Sequence, residues 1–106
     1  MSVRIESSSE VVTAFLEGEL DHHRAKDIRE QIDAHIEEHS PRLLILDFAD
    51  VSFMDSSGIG LVMGRYRQMK LLDGEVKVQN ASPQITKVMR MAGLERLKVL
   101  EGEQRK

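Results

Sequence analysis

Ser56 and Ser57 are the residues on which chemistry could turn. They stand in the stretch Asp55-Ser56-Ser57-Gly58-Ile59-Gly60, between the apolar run Leu43-Leu44-Ile45-Leu46 and a periodic segment that ends near Leu72. This setting reads as a strand, a short loop and the first turn of a helix. A helix N-terminus presents unpaired backbone N–H groups and the positive end of the helix dipole, so added negative charge is tolerated there. A serine in that place can carry a phosphate. The same residues also suit plain capping, because Asp or Ser ahead of a helix most often only satisfies its first N–H groups. Gly58, Gly60 and Gly64 bear on the choice, since each costs a helix about 0.5–1 kcal/mol relative to alanine. They allow a close approach, either of the helix to its own sheet or of another molecule to the helix start, and the sequence does not divide the two.

A phosphoserine adds about −1.5 to −2 charges at neutral pH, and the helix dipole stabilises such a charge by roughly 0.3–1 kcal/mol. Within the domain the modification is therefore cheap. At an interface it is not, because the phosphate would be desolvated beside the like charge of Asp55. One modification could abolish docking without unfolding the chain.

Other chemistries fare worse. His22 and His23 are adjacent and diverge by about 100° on a helix, so they do not converge on one ion. His35 and His39 lie four apart, but no HExxH pattern joins them and the segment runs into Pro41. Ser56 as a nucleophile would need a base within hydrogen-bond reach, and the G-x-S-x-G elbow is absent. Neither the Walker pattern nor G-x-G-x-x-G occurs, so no cofactor is expected. Met63, Met69, Met89 and Met91 fall mainly on inward stripes and read as core filling.

These residues need elements to position them. Val3 to Ile5 begins a short strand that closes at the turn Ser7-Ser8-Ser9, and Val11 to Leu16 pairs back on it, closing at Glu17-Gly18-Glu19. Asp21 is an N-cap, with Leu20 placed to staple onto Ala25. Ala25, Ile28, Ile32 and Ile36 then form the apolar stripe of a charged helix that should end by His39-Ser40-Pro41. Leu43 to Phe48, apolar except for Asp47, has the pattern of a central strand. The next helix places Ile59, Val62, Met63, Tyr66 and Met69 on its core stripe. Leu61, Arg65 and Gln68 share a different face, which makes Leu61 a candidate docking contact close to the serines.

Asp73-Gly74 ends that helix and Glu75 to Gln79 alternates as a strand. Ser82-Pro83 starts a helix whose inner stripe is Ile85, Val88, Met89 and Ala92. Gly93 stops it in the left-handed conformation, with Leu94 able to fold back on Met89. Leu97 to Leu100 reads as a last strand, and Glu101 to Lys106 as a polar tail. Helices alternating with strands imply right-handed crossovers and an α/β fold with a largely parallel sheet, except for an antiparallel first strand.

The totals set the outer bounds. The 106 residues, 41% hydrophobic and 31% charged, suit one domain. The net charge of −3, with Lys and Arg dispersed, offers no footprint for nucleic acid or a membrane surface. There is neither a membrane-length apolar run nor a signal-peptide core, and without cysteine there are no disulfides or thiolate metal sites. The expectation is a cytoplasmic, monomeric protein.

Two blocks, Gly18-Glu19-Leu20-Asp21-His22-His23 and Asp50 through Gly60, together with Gly64-Arg65-Tyr66, closely resemble the anti-sigma factor antagonists of the STAS domain family, in particular those acting on the sporulation sigma factor F. The likeness covers nearly the whole chain, 1–106, as a single STAS domain with helices wound on the sheet as a βα superhelix. It implies a partner switch rather than an enzyme. The unphosphorylated antagonist would bind an anti-sigma factor that holds ATP or ADP and is also a serine kinase, and so free the sigma factor. Phosphorylation would dismiss it, and a metal-dependent serine phosphatase would reverse the mark. The phosphoacceptor maps to Ser56. Asp55, Ser57 and Gly58 would surround it, the loop carrying Gly18, Glu19, Asp21, His22 and His23 would lie beside it, and Leu61 and Arg65 would extend the docking surface. Ile59 stands where the family often has leucine, and the short tail implies that no extra C-terminal helix is present. The same blocks occur in antagonists serving stress-response sigma factors. The alternatives are a small α/β enzyme using Ser56 as nucleophile, or a scaffold STAS subunit of a signalling assembly.

Overall fold

The computed structural model describes residues 3–100; the expected polar tail, Glu101 to Lys106, lies outside the described residues. In chain order the elements are β1 (Val3–Ser7), β2 (Val11–Leu20), α1 (His22–His39), β3 (Leu43–Met54), α2 (Ser56–Leu71), β4 (Glu75–Gln79) and α3 (Pro83–Met91), followed by a 3-10 turn at Leu94–Leu97. The sheet has the order β1-β2-β3-β4, with β1 antiparallel to β2 and the other pairs parallel. This is the single mixed α/β sheet that the alternation of patterns predicts.

Helix α1 packs on β1 and β2, α2 packs on β3 and β4, and the two helices pack on each other, so both cover one face of the sheet. The thinnest dimension of the molecule, 19 Å, fits one sheet and one helix layer. Between these layers lie Val12, Ala14 and Leu16 of β2, Leu44 and Leu46 of β3 and Val76 and Val78 of β4, closed from above by Ile28, Ile32 and Ile36 of α1. The stripe expected on α1 is buried throughout, and Asp21 caps that helix as its position suggests.

Three expectations need correction. The strands β2 and β3 run on to Leu20 and Met54, so Gly18 to Leu20 is not a loop and only Asp55 separates β3 from α2. Parallel pairing of Leu20 with Met54, across two register shifts, holds residues of poor strand propensity in the sheet. Second, Leu97 to Leu100 is not a strand. Gly93 and Lys98 both adopt positive φ, the chain turns between them, and among the described residues a single bridge from Val78 to Leu100 joins this segment to the sheet. Third, α3 packs on that turn more than on the sheet, so only Ile85 and Met89 of its expected stripe are buried. Val88, Ala92 and Met91 are exposed.

The orientation of α2 also differs. Its buried residues are Gly58, Leu61, Val62, Arg65 and Met69, while Ile59, Met63 and Tyr66 are only partly covered. Sheet and α1 both pack against this helix, so it buries two adjoining faces instead of one stripe.

Candidate functional site

Strands β2 and β3 end side by side, and each is followed at once by a helix. Asp21 Oδ1 accepts the Arg24 N–H at 3.0 Å and caps α1; Asp55 Oδ1 accepts the Ser57 N–H at 2.8 Å and caps α2. The Asp55 N–H in turn points to the Leu20 carbonyl at 3.4 Å, joining the two caps. Two helix N-termini are thereby set together at the carboxyl end of the parallel strands, where open α/β sheets place their binding sites. Both bring partial positive charge to this edge.

Ser56 opens α2 and is exposed, whereas Ser57 and Asp55 are half-buried. Glu19, His22 and His23 are exposed along the same edge and Asp21 is half-buried beside them. Gly18, at φ +84°, sits under the Arg24 side chain, and a Cβ there would lie 2.5 Å from Arg24 Nη1. The sequence therefore places most of its candidate residues on one surface.

Gly58, Leu61 and Arg65 do not join that surface. A Cβ on Gly58 would fall inside the Met54 side chain, so this glycine serves the close approach of helix to strand. Nothing stands within 4 Å of the corresponding points at Gly60 and Gly64. Leu61, 3% exposed, faces α1. Arg65, 7% exposed, joins the two helices through Asp33, with Nε 3.0 Å from Oδ1, and donates to Gln68 Oε1 at 3.2 Å. Burial raises the Asp33 pKa, opposed by the Arg65 charge, and burial lowers that of Arg65, opposed by Asp33. This is a partly buried ion pair between the helices; Arg65 is thereby engaged within the fold, and Leu61 lies at the bottom of the cleft between α1 and α2 instead of standing out from the surface.

Phe53 is not among the residues the sequence marks. It is half exposed, pairs in register with Glu19 and lies two residues before Asp55, so it puts apolar surface on the same edge. Burial past Phe48 does not alternate, with Val51 and Met54 buried and Ser52 and Phe53 exposed, so no simple strand pattern in the sequence marks it. Among the described residues no group of three or more His, Asp or Glu is arranged to hold a metal ion, and no helix is long and apolar enough to cross a membrane.

The chain is thus a small single-sheet α/β domain of sequential strand order, mostly parallel, with an exposed serine at the start of its second helix. Residues 2–101 match the STAS domain, and the chain belongs to the STAS domain family. Within it, the chain is 42% identical over 85 residues to an anti-sigma F factor antagonist of Lysinibacillus sphaericus, covering 80% of this chain and 73% of that one. Its fold is similar to that of the anti-sigma factor antagonist SpoIIAA in its unphosphorylated form, with TM-score 0.82 and 38% identity over 91% of this chain and 84% of the other. The phosphorylated form of the Bacillus cell fate determinant SpoIIAA gives TM-score 0.74, also at 38% identity, over 91% and 87% of the two chains.

Proposed function

We propose that this protein is an anti-sigma factor antagonist switched by phosphorylation at Ser56. Unphosphorylated, it binds an anti-sigma factor that uses ATP and acts as a serine kinase, and the sigma factor is released. The kinase then transfers a phosphate to Ser56 and the antagonist leaves; a metal-dependent serine phosphatase restores it. The relatives are regulatory proteins named for this antagonism, and one is known in a phosphorylated form.

The observation that carries the choice of residue is the exposure of Ser56 on the first turn of α2, against the half-burial of Ser57. A kinase must reach the hydroxyl, and the helix N-terminus then stabilises the charge. The reading of Ser56 as a nucleophile lacks support, since the Asp55 carboxylate is engaged by the Ser57 N–H and no histidine hydrogen-bonds Ser56 among the described residues. Docking would use Glu19, Asp21, His22, His23 and Phe53 around the serine.

The test is incubation with the ATP-binding anti-sigma factor of the same genome, ATP and magnesium, followed by intact mass and fragment spectra. One added phosphate on Ser56, lost in Ser56→Ala, is the expected result. Phosphate on Ser57 would move the site. Neither phosphate nor binding would sink the reading and favour a scaffold role.

A further inference from the structure

Beside Ser56 lies a groove that neither the caps nor the switch serine uses. It runs between the first turns of α1 and α2 and has a volume of about 240 Å³. His22, Lys26 and Arg29 form its α1 wall, Ser57 and Gly60 its α2 wall, and Leu61 part of its floor. Small-molecule sites usually span about 300–1,000 Å³, so this space suits a side chain or two rather than a nucleotide.

Its charge is one-sided, because no carboxylate is among the lining residues. Of the acids nearby, Asp21 caps α1, Asp27 accepts from Gln31 and Asp33 is ion-paired with Arg65, while Glu30, next to Arg29 on α1, stands outside the groove lining. Lys26 has no ion-pair partner among the described residues, and Arg29 shares its influence on Asp33 with Arg65. An apolar floor under a cationic rim accepts the methylenes and the carboxylate of an acidic side chain together. Ser57 lines the groove and directly follows Ser56, so a partner covering Ser56 also lies over it.

We infer that the groove receives an aspartate or glutamate side chain of the anti-sigma factor during docking. The inference rests on the function proposed above. The wall residues Lys26 and Arg29 are exposed on a helix that is buried through Ala25, Ile28, Ile32 and Ile36, so their replacement leaves the core intact.

The experiment is calorimetric titration of the anti-sigma factor with the full chain, at low and high salt, for wild type, the double variant Lys26→Glu with Arg29→Gln, and Lys87→Glu as a charge control on α3. The double variant should bind at least about tenfold more weakly and with a shallower salt dependence, while Lys87→Glu binds as wild type does. Melting curves establish that each variant is folded; Lys26→Gln with Arg29→Gln serves if the first does not fold. Wild-type binding matched by the folded double variant would overturn the groove and leave the antagonist function standing. Absence of wild-type binding would remove both. A change in sedimentation with unchanged affinity would assign the groove to a second copy of this chain, and so also overturn the inference.

Discussion

Asp47 shows how a buried polar residue in a largely apolar strand is accommodated. It is 5% exposed, and its carboxylate accepts from the Ala49 N–H at 2.9 Å, Gln79 Nε2 at 2.8 Å and Asn80 Nδ2 at 2.9 Å. Burial alone would raise its pKa, but these three donors outweigh burial and hold the carboxyl below the ordinary range. A folded pKa below the unfolded value of about 3.9 means that the native state favours the ionised form. The associated stability is present above the unfolded value and is lost as pH falls through the folded one. Asp47→Asn should therefore cost about 1–3 kcal/mol near neutrality and flatten the fall in stability on acidification. Urea unfolding across the acid range measures both; an acid limb as steep as wild type would count against the assignment. The isolated Asp was legible in the sequence, but its side-chain donors, 32 and 33 residues further on, were not.

Helix α2 sets three glycines in contrasting surroundings. Gly58 is pressed against Met54, while Gly64 has open space where a Cβ would stand. Gly58→Ala must displace the Met54 side chain or the helix, at a cost of about 1–3 kcal/mol. Gly64→Ala should instead stabilise by about 0.5–1 kcal/mol, the ordinary helix propensity difference. Thermal unfolding of the two variants should move in opposite directions, and a shared sign would refute the division. Periodicity misjudged this helix because it selects the best single apolar stripe. A helix packed by a sheet on one side and by α1 on another buries a second stripe, and here that stripe contains Leu61 and Arg65.

At the scale of the whole molecule, the switch surface lies at the rim where β2 and β3 give way to α1 and α2, outside the core between the layers. Ser56 contributes nothing to that core, and a negative charge at its position meets the positive end of α2. Ser56→Asp should thus retain the melting temperature of the wild type within a few degrees while weakening binding to the anti-sigma factor at least about tenfold. Circular dichroism melting paired with calorimetric titration reads the two together. Equal affinities would remove the electrostatic account of the switch, and a collapse of the melting transition would mean that Ser56 supports the fold.

The sequence alone determined the order of the first seven elements, the buried stripe of α1, the N-caps at Asp21 and Ser82, and the turn at Gly93. It also placed Ser56 at a helix start. All of these are governed by contacts within a turn or two of chain, so neighbouring residues suffice to encode them. The tertiary structure decided the lengths of β2 and β3, the faces that α2 buries, the reduction of the last expected strand to one bridge, and the basic groove between α1 and α2. Each of these depends on partners tens of residues apart, such as Leu20 with Met54 and Asp33 with Arg65. Backbone pairing and burial against a distant element override local propensity there, and no spacing along the chain records which element will arrive.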